Sequence, residues 1–232
     1  MPQLKMFNYL VKSLPFYLSV LLYFIYWPED PTFDHVVYKL LPIFSLVAFI
    51  IIYSLTVSKI SKFAIGIIVG LVFSSFGDYY LVLGDVHFIQ GTIAFAVAHI
   101  VYGITFGLKP FKPLILLICV FVGLATYIYL FPGLSQIFML VVAIYVTLIY
   151  FMAWRALSRC QLSKLTWGQV FCALGAILFL VSDFTIGVEK FRTDILVPHA
   201  KLIIMSSYYA AQFFITMSVI DYPTKNGREK VE

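Results

Sequence analysis

Eight long apolar runs leave this chain few folds to adopt. They cover residues 7–27, 36–57, 63–83, 88–108, 114–130, 134–154, 167–188 and 196–220. A helix needs about 20 apolar residues to cross the hydrocarbon core of a bilayer, and each run supplies roughly 17 to 25. Within lipid the backbone must satisfy its own hydrogen bonds, so spanning segments are helices or strands of a closed barrel. Barrel strands alternate apolar and polar residues, and these runs do not. The expectation is an all-α, polytopic membrane protein: a bundle of eight transmembrane helices forming one domain over residues 1–232. With 62% of residues hydrophobic and 12% charged, and a mean hydropathy of +0.98, the chain has more apolar surface than a soluble core buries.

The first run follows Lys5 and contains Lys12, but it is long and lacks a small-residue cleavage site, which argues against a signal peptide. Cys119, Cys160 and Cys172 are odd in number and without metal-ligand spacing, and read as packing residues. The formal net charge of +5 does not imply a nucleic-acid partner, because the cations sort by connection. Twelve of the sixteen Lys and Arg (Lys5, Lys12, Lys59, Lys62, Lys109, Lys112, Arg155, Arg159, Lys164, Lys225, Arg228 and Lys230) fall at the termini or in alternate connections. The positive-inside rule makes that side, and both termini, cytosolic. Glu29, Asp30, Asp34, Asp85, Glu189 and Asp194 gather at the opposite face, with Asp78 and Asp183 just inside it. Acidic residues contribute little to insertion, so their clustering points to an extracytoplasmic functional end.

At 1.5 Å per residue, Asp78 lies roughly 9 Å below the non-cytoplasmic end of the third helix and Asp183 roughly 8 Å below that of the seventh, so the two are level. Each alone could be satisfied by a nearby Lys or Tyr and merely pin helices together. Lys39 and Lys201, just inside the second and eighth helices, would each alone read as snorkelling to the interface. Two level carboxylates with two lysines at the same end read as a site. His99 falls roughly 7 Å deeper than Asp78, and catalytic and structural readings of it weigh equally. Phe88, Gly91, Phe95, His99 and Tyr102 share one face of the fourth helix, where Gly91 permits close helix approach. The eighth helix adds Ser206, Ser207, Tyr208, Tyr209 and Gln212 near mid-membrane. No Gly-x-Ser-x-Gly elbow surrounds a serine, which disfavours acyl-enzyme chemistry. His35, His87, His99 and His199 fall in the same half, but without a ligand spacing such as HExxH, so no metal and no cofactor is expected. Residues 73–78 and 179–183 echo one another, which fits a parallel internal repeat pairing the two aspartates.

Several of these positions carry a family resemblance. They are Lys39 with Leu41 and Pro42; Gly77 and Asp78; Phe88, Gly91, Phe95, His99 and Tyr102; Gly175, Ala176, Phe179, Ser182 and Asp183; Lys190 and Phe191; then Tyr209 and Gln212. No one of these is specific, but as an ordered set over nearly the whole length they resemble the YhhN-like lysoplasmalogenase family of eight-helix membrane proteins. The resemblance implies hydrolysis of the vinyl ether bond of lysoplasmalogens to a fatty aldehyde and glycerophosphoethanolamine or glycerophosphocholine, with Asp78 and Asp183 essential. Glu189 departs from the neutral polar residue expected before Lys190, which bears on headgroup contacts more than on chemistry.

Enol ethers hydrolyse by protonation of the vinyl carbon remote from oxygen, capture of the oxocarbenium ion by water, and collapse of the hemiacetal. One carboxylic acid and one carboxylate suit this, as in glycosidases. Asp78 and Asp183 would divide those roles, in an order that spacing leaves open. His99, Tyr102 and Tyr209 would support them. Lys39 and Lys201 would bind the lipid phosphate, Phe88 and Phe95 the chain, and Lys190 and Gln212 further parts of the lysophospholipid. Two alternatives stand beside this one: a lipid-binding or transport protein without enzymatic activity, and a zinc hydrolase of amide-linked lipids. Bilayer lipids are the other expected partners. Arg228 and Lys230 loosely match a dibasic retrieval signal, so the endoplasmic reticulum is the expected location.

Overall fold

Local signals set the helix boundaries. The computed structural model describes residues 9–27, 32–56 and 60–220. Eight α-helices follow one another there: α1 Leu14–Tyr26, α2 Phe33–Thr56, α3 Lys62–Val82, α4 Phe88–Thr105, α5 Pro113–Leu130, α6 Gln136–Ser158, α7 Trp167–Phe191 and α8 Ala200–Met217. Residues 9–12 are also helical, with a break at Ser13. Ser61 caps α3 by accepting from the Ala64 N–H at 3.0 Å, and Thr166 with Gln169 forms a reciprocal capping box at the start of α7. Pro113 opens α5, where a missing N–H costs nothing. Gly84, at φ 90°, makes the left-handed turn that lets α4 fold back on α3. Pro42 lies buried inside α2.

Among the described residues there is no strand. Six segments are long and apolar enough to cross a membrane: Phe33–Thr56, Lys62–Val82, Asp85–Thr105, Pro113–Gly133, Gln136–Ser158 and Trp167–Phe191. The described residues are thus all-helical with six candidate spans, and two of the eight expected spans stand apart. The described helix α1 has 13 residues, short of a full crossing. Helix α8 has 18 residues, yet Lys201, Ser206, Ser207, Tyr208, Tyr209 and Gln212 dilute its apolar character. Tyr208, Tyr209 and Gln212 are buried, so much of that polarity faces protein and not lipid.

Helices α3 and α4 pack as a tight antiparallel pair, as do α7 and α8; α6 joins α4 to α7, and α2 covers α3 and α8. Glycines set the closest approaches. A Cβ on Gly77 would stand 2.5 Å from the Phe95 ring, and one on Gly175 2.9 Å from the Ala211 carbonyl oxygen. The main core therefore lies between α3, α4, α7 and α8, with Phe95, Tyr102, Phe179 and Tyr208 in its middle.

The cations counted toward topology also build structure. Arg155 is fully buried; its Nε donates to the Gly107 carbonyl at 2.6 Å and its two terminal nitrogens donate to the Pro110 carbonyl at 3.2 Å. Arg159 donates to the Phe106 carbonyl at 3.2 Å, and Lys112 to the Cys160 carbonyl. Together they staple the α4–α5 turn to the end of α6. At the other face Arg192 forks onto Asp194, at 2.8 and 2.7 Å, and this hydrogen-bonded guanidinium holds the Asp194 carboxyl below the usual range. Lys5, Glu29, Asp30, Lys59 and the 221–232 tail with its retrieval-like motif lie outside the described residues.

Candidate active site

Asp78 sits one turn before the end of α3, on the face turned to α2 and α8, and its side chain is only 2% exposed. Lys39 of α2 extends inward to it: Nζ stands 3.5 Å from Oδ1. Tyr208 of α8 donates its hydroxyl proton to Oδ2 at 2.5 Å. The carboxylate thus meets a cation and a charge-assisted donor, the compensation that a buried ion requires. Tyr209, one residue on and rotated about 100° around α8, instead donates to the Lys39 backbone carbonyl at 3.1 Å. One turn further, the Gln212 amide oxygen accepts from the Tyr102 hydroxyl at 2.8 Å.

Asp183 of α7 has a separate set of partners. Tyr145 of α6 donates its hydroxyl proton to Oδ2, and His99 Nε2 lies 3.3 Å from the same oxygen and 3.0 Å from the Tyr145 hydroxyl. The three groups form a closed triangle. His99 is fully buried and its Nδ1 has no partner. His99 thus meets Asp183 and Tyr145 through the same ring nitrogen, Nε2. Spacing put it under Asp78; the fold brings it to Asp183 instead.

The two clusters meet through aromatic rings. Tyr208 packs 5.5 Å from Phe179, and Phe179 packs 4.8 Å from His99, measured between ring centroids. Phe95 lies 5.9 Å from Tyr208 and 6.3 Å from Phe179. The carboxylates share no hydrogen bond.

Asp183 alone of the two carboxylates faces open space. A void of about 70 Å³, open at one side, lies among α4, α5, α6 and α7. Its walls include Phe88, Phe95, Val142, Leu180, Phe184 and Phe191, with Tyr145 at the polar spot beside Asp183. Among the described residues that line it, Asp183 is the one charged group. Phe88 and Phe95, expected along a lipid chain, are in this wall. Lys39 is not, because it is spent on Asp78. Lys201 lies with Nζ 4.6 Å from the centroid of the Trp27 ring, outside the lining. Lys190 bonds Asp85 at 2.5 Å and stands 5.1 Å from the centroid of the Phe88 ring, at one end of the void.

Two residues that contact the carboxylates, Tyr145 and Tyr208, have no role that the sequence alone assigns. Tyr145 sits in an otherwise apolar run, and nothing local marks it. Tyr208 lies in a visibly polar stretch, but adjacent tyrosines cannot be told apart until the helix has an azimuth. Among the described residues, no group of three His, Cys, Asp or Glu stands close enough to hold a metal ion.

A model of the YhhN family matches residues 35–219, the region holding both clusters and the void. The chain belongs to the YhhN family. Within this family it is similar to the bovine protein named lysoplasmalogenase TMEM86A, 37% identical over 226 residues, covering 95% of this chain and 91% of that one. The human protein of the same name is 35% identical over the same shares. Pig lysoplasmalogenase TMEM86B is 33% identical over 211 residues, covering 90% of this chain and 86% of that one. These relatives are enzymes by name, and this YhhN-family chain is an enzyme of their kind. No solved structure matches the chain significantly.

Proposed function

We propose that this protein hydrolyses the vinyl ether bond of lysoplasmalogens, releasing a fatty aldehyde and a glycerophosphodiester of ethanolamine or choline. The observation that carries this reading is Asp183: the one charged group among the residues lining a mostly apolar void, braced by His99 and Tyr145. The naming of the relatives supplies the substrate class.

The two carboxylates suit different parts. Asp183 is the carboxyl that lines the void, so it is the one placed to give a proton to the vinyl carbon, while Asp78 is paired with Lys39 away from that space. Asp183 gives its proton to the vinyl carbon remote from oxygen, and the electrons of the double bond form the new C–H bond. The oxocarbenium ion left on the adjacent carbon lies against the Asp183 carboxylate, whose new charge is met by hydrogen bonds from Tyr145 and His99. Water adds to that carbon and returns a proton to Asp183, giving a hemiacetal. Collapse breaks the bond to the glycerol oxygen, which takes the proton from Asp183 while the hemiacetal hydroxyl gives its own back to that carboxylate, and the aldehyde leaves. Phe88, Phe95 and Phe184 would hold the single hydrocarbon chain.

The same reading includes eight membrane crossings with both termini in the cytosol, and residence in the endoplasmic reticulum. The sorting of twelve of the sixteen cations supports the orientation. The test of function is incubation of purified protein with a lysoplasmalogen and with its saturated alkyl ether analogue. Vinyl ether hydrolysis releases aldehyde from the first alone; equal cleavage of both, or of neither, removes this reading.

A further inference from the structure

Lys190 and Asp85 join two elements across one end of the void that Asp183 faces. Lys190 lies on the last turn of α7, and Asp85 in the short turn between α3 and α4. Their side chains meet at 2.5 Å. The lysine is three-quarters buried while the aspartate is 87% exposed, so the pair is asymmetric: a held cation and a carboxylate reaching in from solvent. The ammonium also stands 5.1 Å from the centroid of the Phe88 ring, and Phe88 and Phe191 both line the void. A cation fixed beside the end of an apolar channel is where the anionic head of a single-chain amphiphile would come to rest. Among the described residues Asp85 is its one hydrogen-bonding partner, and the ammonium has three protons to donate.

We infer that Lys190 is the receptor for the phosphodiester of the lipid, and that Asp85 is a built-in competitor that occupies it until the lipid arrives. The exchange is charge-neutral, because one monoanion replaces another on the ammonium and Asp85 turns back into water. It requires no movement of α7, since Asp85 sits on a short turn preceded by Gly84 at φ 90°. The pair also bridges the α3–α4 turn to α7, so releasing it frees the end of the void as the headgroup docks. This rests on the reading that the void holds a lysophospholipid.

The test reads binding and not turnover, which separates its failure from failure of that reading. A saturated 1-alkyl lysophospholipid and the matching 1-alkylglycerol, which lacks the phosphate, are titrated against purified wild type, Asp85→Asn, Lys190→Ala and Lys190→Arg. Removing a competitor in a largely solvated pair should tighten the phospholipid about two- to fivefold in Asp85→Asn. Lys190→Ala should weaken it at least as much, and Lys190→Arg should retain most of the affinity. The alkylglycerol should bind all four proteins alike. Unchanged phospholipid binding in Asp85→Asn, or parallel changes for both ligands in either substitution at 190, overturns the inference. Inorganic phosphate at millimolar concentration should not displace the phospholipid; displacement from wild type but not from Lys190→Ala would mark a free-anion site instead. Loss of vinyl ether cleavage with these binding shifts intact would sink the proposed reaction alone.

Discussion

At the scale of single residues, Asp78 and Asp183 look alike in sequence and differ in place. Asp183 is held by hydrogen bonds alone, and asparagine keeps an oxygen that can accept them. Asp183→Asn is therefore expected to remove aldehyde release while leaving thermal unfolding in detergent nearly unchanged. Asp78 faces Lys39, so Asp78→Asn strands a buried ammonium. Removing one member of such a pair costs about 3–5 kcal/mol, and a large drop in melting temperature should accompany the lost activity. The double variant Asp78→Asn with Lys39→Met should recover part of that stability; if it is no more stable than Asp78→Asn, the ion pair is not what holds α2 to α3. Tyr145→Phe removes one donor to the developing carboxylate, a bond to a charged group worth about 1.5–3 kcal/mol. That corresponds to roughly a 10- to 150-fold fall in kcat with KM little changed. An equal rise in KM with kcat intact would mean that Tyr145 shapes the void and takes no part in the chemistry.

At the scale of helices, close approach explains why the polar groups meet. The third and fourth helices touch through Gly77, where a Cβ would stand 2.5 Å from the Phe95 ring. Phe95 is also part of the wall of the void, so Gly77→Ala should push that ring toward the space a lipid chain occupies. Weaker binding of the alkyl ether analogue is expected, with a loss of roughly 1–3 kcal/mol of stability from overpacking. Unaltered binding would mean that Phe95 can yield elsewhere. The eighth helix makes a related point. Its polar residues lower its apolarity below that of the six candidate spans, and three of them, Tyr208, Tyr209 and Gln212, hydrogen-bond to groups on α3, α2 and α4. A helix that reads as a weak span is here an interior one, its polarity spent on neighbours.

For the whole molecule, orientation is open to direct measurement. Single cysteines placed at Asp85 and at Lys164, in a background without Cys119, Cys160 and Cys172, should react with a membrane-impermeant thiol reagent from opposite sides of sealed vesicles. Labelling of both from one side would overturn the proposed topology. Much of the helical architecture was legible beforehand, because apolar run length is a one-dimensional property that bilayer thickness acts on directly. Helix content and the shared face of Phe88, Phe95 and His99 follow from rise and periodicity along one helix. Azimuth between helices does not. That Lys39 turns inward to Asp78, that His99 serves Asp183, that Tyr208 and not Tyr209 meets a carboxylate, and that Arg155 clamps the α4–α5 turn each depend on how one helix is rotated against another. Those rotations come from packing contacts between residues up to 170 positions apart, such as Tyr209 with Lys39. The sequence by itself determined that two carboxylates would lie within apolar helices; the tertiary structure alone decided that one would be locked to a lysine and the other left facing open space.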